Sequence, residues 1–169
     1  IGFQQPLVGN FATKHCVYAM AARNWAQDRA PWWRPTLDCL TDDERSWHLM
    51  EWPALAYVAA MGQRYCGGSL DAWGRGVGIG CSAIAAALAF LLSRRWFGSA
   101  AARATSLVVA FAPATILYGR GFMLEPSLVA LSFAAVLGFD VGLRDRRHSA
   151  IIASAICTSL LILTKAYML

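Results

Sequence analysis

Charge is scarce in this chain. Lysine, arginine, aspartate and glutamate together make up 15% of its 169 residues, against about 25% in an ordinary soluble domain. Apolar side chains make up 57%, and mean hydropathy is +0.44. One water-soluble core of this length has no use for so much apolar surface. A membrane-embedded helical protein is therefore expected rather than a very hydrophobic soluble one. The glycine-rich signatures of nucleotide sites are also missing. There is no P-loop, no G-x-G-x-x-G after a strand and no G-x-S-x-G elbow. Of the five cysteines, no pair has zinc-site spacing. Cys81 and Cys157 fall in apolar runs and read as small core residues. Cys16, Cys39 and Cys66 permit one disulfide at most, and their spacing does not say which. Repeats and low-complexity tracts are absent.

What charge there is lies in a pattern. Most of the acids precede Arg75, and beyond it long neutral runs alternate with short basic clusters. The net charge of +5 does not point to nucleic acid, because the arginines sit where apolar runs end and no nucleic-acid-binding motif accompanies them. Four runs stand out, at 76–93, 104–119, 126–139 and 149–164. Each is slightly short of the roughly 20 residues that cross a bilayer. Interfacial aromatics such as Trp73, Trp96, Phe97, Phe122 and Tyr167, with snorkelling arginines, make up the difference. Pro113 interrupts the second run, which a membrane helix tolerates. The expected architecture is all-α: a polytopic membrane helix bundle with spans at about 74–93, 101–119, 123–142 and 149–168. Arg94, Arg95 and Arg103 follow the first run, and Arg144, Arg146 and Arg147 follow the third. The positive-inside rule makes both loops cytoplasmic. Residues 1–72, the 120–125 loop and Lys165 then lie on the extracytoplasmic side. The chain begins without Met and stops inside an apolar segment, so it is expected to be part of a longer protein.

The region before the runs is expected to form surface helices. A helix over 13–27 carries Val17, Met20, Ala21 and Trp25 on one face, with Lys14, Arg23, Asn24 and Gln27 away from it. Pro31-Trp-Trp-Arg-Pro35 reads as a turn with interfacial rings. Thr41 and Glu44 have capping-box spacing and predict a second helix that Pro53 kinks or restarts. That helix ends near Gly67-Gly68.

Polar groups at membrane level are costly and become functional candidates. Glu44, His48 and Glu51 are spaced to share one helix face. Such a face suits a general base, a metal site or simply solvent. Trp47, Trp52 and Pro53 would shield Glu51 and raise its pKa. Arg120 and Glu125 flank a tight loop, as a phosphate clamp with an acid or as a structural ion pair. Lys165 and Lys14 are candidate phosphate ligands or interfacial anchors. Asp38 suits a turn or a catalytic carboxylate. Asp140, near the end of the third run, is expected to pair with an arginine.

The order of these segments resembles the GT-C class of membrane glycosyltransferases, in particular the protein O-mannosyltransferase and aminoarabinose-transferase superfamily. Val17-Tyr-Ala-Met-Ala-Ala-Arg-Asn24 is similar to the helix after that family's first span. Glu51-Trp-Pro-Ala-Leu-Ala-Tyr57 is similar to its Pro-Pro-Leu-x-Tyr segment. Gly74-Arg75, Arg94-Arg95-Trp-Phe-Gly98, Tyr118-Gly-Arg-Gly-Phe-Met-Leu-Glu125 and Leu163-Thr-Lys165 recur at the matching places. The resemblance implies a sugar donor carried on polyprenyl phosphate, an inner-membrane location and an active face on the extracytoplasmic side. It implies membrane lipid as the surroundings. No cofactor is expected. One departure stands out. The acidic pair that many members carry before the first surface helix is replaced by Ala12-Thr-Lys-His15. The catalytic carboxylate is therefore sought among Glu51, Asp38 and Glu125, with Lys14, His48, Arg120 and Lys165 as substrate or phosphate ligands. A transporter or flippase for a lipid-linked or anionic substrate, and a non-catalytic envelope scaffold, are the alternatives.

Overall fold

A computed structural model of the chain describes residues 12–27, 31–33, 35–37, 46–47 and 53–164. Within them the fold is all-helical apart from one two-residue ladder. The chain divides into two compact units, Ile1–Gly78 with Arg120–Met123, and Ile79–Gly119 with Leu124–Leu169.

In the first unit, α1 (Ala12–Ala26) packs on α2 (Ala54–Cys66). Tyr18, Ala21, Ala22 and Trp25 of α1 are buried, as are Ala56, Ala59 and Ala60 of α2. Alanines on α2 let the helices approach, and the Trp25 and Tyr57 rings meet edge-on at 5.8 Å. The buried face of α1 also includes Asn24, which is fully enclosed and which the sequence pattern sets apart from the apolar stripe. Its side-chain amide donates to the carbonyl of Thr36 at 2.8 Å and to Thr36 Oγ1 at 3.3 Å. Burial of the amide nitrogen is tolerated when it is paired in this way. Thr36–Leu37 (β1) pairs antiparallel with Ser46–Trp47 (β2), with Thr36 opposite Trp47.

That ladder corrects the expectation of a helix starting at Thr41. Ser46 and Trp47 are extended, and α2 begins only after Pro53, whose carbonyl accepts from the Tyr57 N–H at 2.9 Å. Pairing with the nearby Thr36–Leu37 strand outweighs the capping signal. The one-face argument for Glu44, His48 and Glu51 goes with the helix it assumed. All three lie outside the described residues. α2 ends as its sequence predicts, at Gly67 and Gly68 with φ of 73° and 87°, a region that glycine enters without penalty.

Ser69 Oγ then accepts from the Ala72 N–H at 3.2 Å and caps α3 (Leu70–Phe97). This helix runs unbroken for 28 residues with a hydropathy of 2.0. Glycines on α2 and at the start of α3 leave room for large rings. An added Cβ on Gly62 would collide with the Trp73 ring, and one on Gly74 with the Phe122 ring.

The second unit contains the rest of α3, α4 (Ser99–Phe111), α5 (Pro113–Gly119), α6 (Glu125–Arg144) and α7 (His148–Thr164). The second apolar run is not one straight helix. Proline disfavours the helical region for its predecessor, and Ala112 accordingly sits at φ −56°, ψ 134°. Pro113 opens α5 as a first-position proline, and α4 and α5 are bent by 49°. α6 and α7 form an antiparallel hairpin. Ser154 Oγ donates to the Ala135 carbonyl at 2.7 Å, and Gly138 and Gly142 leave room for α7. Among the described residues, α3 and α6 are long and apolar enough to cross a membrane, and the bent α4–α5 pair is a third if it counts as one span. α7 is apolar over 17 described residues, and the rest of the expected 149–168 span lies outside them.

Candidate functional site

Four helices of the second unit surround a half-open groove of about 80 Å³. The break in the second apolar run brings α5 into its wall. Ala85 of α3, Val109 of α4 and Val129 of α6 make it apolar. Against that background stand Ser82 of α3, Thr115 and Tyr118 of α5, and Glu125 of α6.

Among the described residues, Glu125 is the one sequence candidate that lines the groove. It is half-buried in the first turn of α6. Backbone N–H groups there lack helical partners and favour a negative charge. Pro126 follows it without an N–H to satisfy, and Ser127 turns its hydroxyl back to the Leu124 carbonyl at 2.6 Å. No side chain caps the helix start, and Glu125 shares the groove's lining with Tyr118. A carboxylate, a phenol and two hydroxyls in an apolar cleft can hold a polar group at the end of an apolar ligand. They can also orient a hydroxyl for attack.

The other candidates fall elsewhere. Arg120 is exposed just after α5, belongs to the first unit and is not part of the groove's lining. Lys14 lies in α1 of the first unit, its side chain outside the described set. Glu51, Asp38, His48 and Lys165 all lie outside the described residues. Among the described residues no three His, Cys, Asp or Glu side chains gather as a metal site. Cys16, Cys66, Cys81 and Cys157 are free thiols, and Cys39 lies outside the described set.

Ser82 and Thr115 escaped the sequence reading, and Tyr118 entered it only as part of a resembling segment, not as a site candidate. Their signal was present, since each is a polar side chain inside or at the edge of an apolar run. Serine and threonine can satisfy themselves on their own helix, as Thr158 and Ser159 do on α7. Polarity alone therefore did not mark the three.

Asp140 does pair with arginine, in a larger arrangement than expected. It accepts from Arg95 Nε at 2.8 Å, from Arg144 Nε at 2.9 Å and from the Trp96 indole N–H at 2.9 Å. The same Arg95 holds Asp145 through both terminal nitrogens at 3.2 and 3.1 Å. This network ties the C-terminal end of α3 to that of α6, at the opposite end of α6 from Glu125.

Comparison with known family models, with curated proteins and with solved structures finds no match to this chain.

Proposed function

We propose that this chain belongs to a polytopic membrane glycosyltransferase of the GT-C kind, which moves a sugar from a polyprenyl-phosphate carrier to an acceptor at the extracytoplasmic face. The groove carrying Glu125 is the observation behind this reading. Its apolar walls suit an isoprenoid chain, and its polar residues suit the sugar-phosphate end. The basic turns after α3 and α6 fit the cytoplasmic side by the positive-inside rule. Glu125, at the far end of α6, is then on the extracytoplasmic side.

In the proposed reaction an acceptor hydroxyl attacks the anomeric carbon. The new C–O bond forms as the bond to the carrier's phosphate oxygen breaks, and polyprenyl phosphate leaves. Glu125 orients the hydroxyl and takes its proton. Cations that stabilise the departing phosphate are sought among Arg120, Lys14 and Lys165, with His48 as a further donor. Glu51 and Asp38 are the other carboxylates to test.

The experiment measures transfer from labelled polyprenyl-phosphate sugars by membranes holding the gene product that contains this chain. Glu125→Gln, Glu51→Gln and Asp38→Asn are compared with wild type. Loss of the base predicts a fall of about 10²-fold or more. Full transfer by all three variants would reject a carboxylate mechanism.

The broken α4–α5 pair lining the same groove favours a second reading, a transporter or flippase for a lipid-linked or anionic substrate. Discontinuous helices commonly form the substrate sites of such proteins. Single-cysteine accessibility separates the two. Access to the groove from one side of the membrane fits the transferase, and access from both sides fits the transporter.

A further inference from the structure

Among the described residues, the two largest fully buried side chains of the first unit both serve one loop. Trp25 and Asn24, adjacent on α1, are 2% and 0% exposed. The Trp25 indole N–H donates to the carbonyl of Pro31 at 3.0 Å. Asn24 holds the carbonyl of Thr36 at 2.8 Å. Pro35, Thr36 and Leu37 are buried beside them. The segment between is thus pinned at both ends, and its tip faces outward. Trp32 and Trp33 are 58% and 68% exposed, with their rings edge-to-face at 5.9 Å.

Two outward tryptophans on a loop held in this way are costly in water, since each carries 150–250 Å² of mostly apolar surface. A protein keeps such a tip for a partner. We propose that the Trp32–Trp33 tip docks into the headgroup layer of a phospholipid bilayer and seats the first unit on the membrane surface.

Three observations select lipid as the occupant. An indole has an apolar body and one N–H, which matches the boundary between acyl chains and headgroups. Arg23 is exposed on α1 of the same unit, a cation that an anionic headgroup layer accommodates. The first unit also includes the start of α3 through Gly78. At about 1.5 Å per residue a 28-residue helix is roughly 42 Å long, against a hydrocarbon core of about 30 Å. The start of a spanning α3 therefore lies at headgroup level, and so does the unit built around it. Stacking on a sugar is the less suitable use, because rings at 89° offer no common flat face. The inference needs α3 to span the membrane but does not depend on the transfer chemistry.

The test uses the whole chain in phosphatidylcholine–phosphatidylglycerol vesicles. The emission of wild type minus that of Trp32→Phe/Trp33→Phe isolates the pair's fluorescence. Phe keeps the tip apolar, and the bond from the Trp25 indole to the Pro31 carbonyl needs neither side chain. Lipids brominated high on the acyl chain should quench the difference emission roughly twofold or more, and lipids brominated near the chain end should quench it less. Aqueous acrylamide should have little effect. Strong acrylamide quenching without bromolipid quenching would overturn the proposal, because the pair would then face water. Shielding from both quenchers would overturn it as well, because protein would then cover the tip. A response to added free sugar without bromolipid quenching would replace lipid by a carbohydrate ligand.

Discussion

Arg95 donates through Nε to Asp140 at 2.8 Å, joining α3 to α6 across residues far apart in sequence. The carboxylate is nearly enclosed, while Asp145, the second partner of Arg95, is 40% exposed. Asp140 also satisfies Arg144 and the Trp96 indole. Removing it leaves three donors without their acceptor, and stranded partners are what make broken ion pairs costly. Asp140→Ala should therefore lower the melting temperature in detergent more than Asp145→Ala does. Asp140→Asn should fall between, because it keeps the shape and loses the charge. Equal melting of the two alanine variants would mean that the network does not hold α3 to α6.

Asn24 tests the platform of the first unit. Its amide bonds to Thr36 are enclosed. Asn24→Ala should cost about 1–3 kcal/mol, the range for breaking a buried hydrogen bond and stranding its partner. Thr36→Val should cost less. It removes the 3.3 Å contact to Oγ1 and keeps the 2.8 Å bond to the backbone carbonyl. Denaturant unfolding of the whole chain in detergent, followed by tryptophan emission, measures both. A larger loss from Thr36→Val would show that the hydroxyl, not the carbonyl, is the anchor.

The hairpin of α6 and α7 makes a contrasting prediction for glycines. A Cβ on Gly138 would sit 3.0 Å from the Ala150 carbonyl oxygen and 3.2 Å from Ser154 Cβ. These are backbone and near-backbone atoms, so the helices must move apart. Gly138→Ala should destabilise by about 1–3 kcal/mol and weaken the bond from Ser154 to Ala135. Nothing lies within 4 Å of the corresponding position on Gly80 of α3. Gly80→Ala should be neutral or stabilising by up to about 1 kcal/mol through helix propensity. The same size of loss from both would mean that packing does not distinguish them.

The apolar runs made the helices of the second unit legible, because length and hydropathy are local properties. The run at 76–93 became the middle of α3, extended at both ends by Trp73 and by Arg94 to Phe97. The stop at Gly67 was legible for the same reason. Three features were not. Thr41 and Glu44 carry a local helix-start signal, but Ser46 and Trp47 pair with Thr36 and Leu37, which lie outside that signal. Asn24 reads as an outward polar residue until the Thr36 carbonyl is seen behind it. Ser82, Thr115, Tyr118 and Glu125 meet only because α3, α5 and α6 come together around a helix break. Pro113 was visible in the sequence, but the size of the resulting bend was not.

The groove makes a last prediction that separates binding from chemistry. Val129 lines it and is 44% exposed, so a larger side chain there fills the groove without entering the packed interior. Val129→Trp should leave the melting temperature of the chain near that of wild type. In the transfer assay it should raise KM for the lipid-linked donor by roughly tenfold, equivalent to about 1.4 kcal/mol of lost binding, and should change kcat little. Glu125→Gln should do the reverse, lowering kcat with a small effect on KM, because a group that orients and deprotonates the acceptor acts chiefly in the transition state. If both variants change KM alone, the groove binds the carrier and Glu125 is a ligand for its polar end. If neither changes either constant, the donor is held elsewhere, and the search for the carboxylate moves to Glu51 and Asp38.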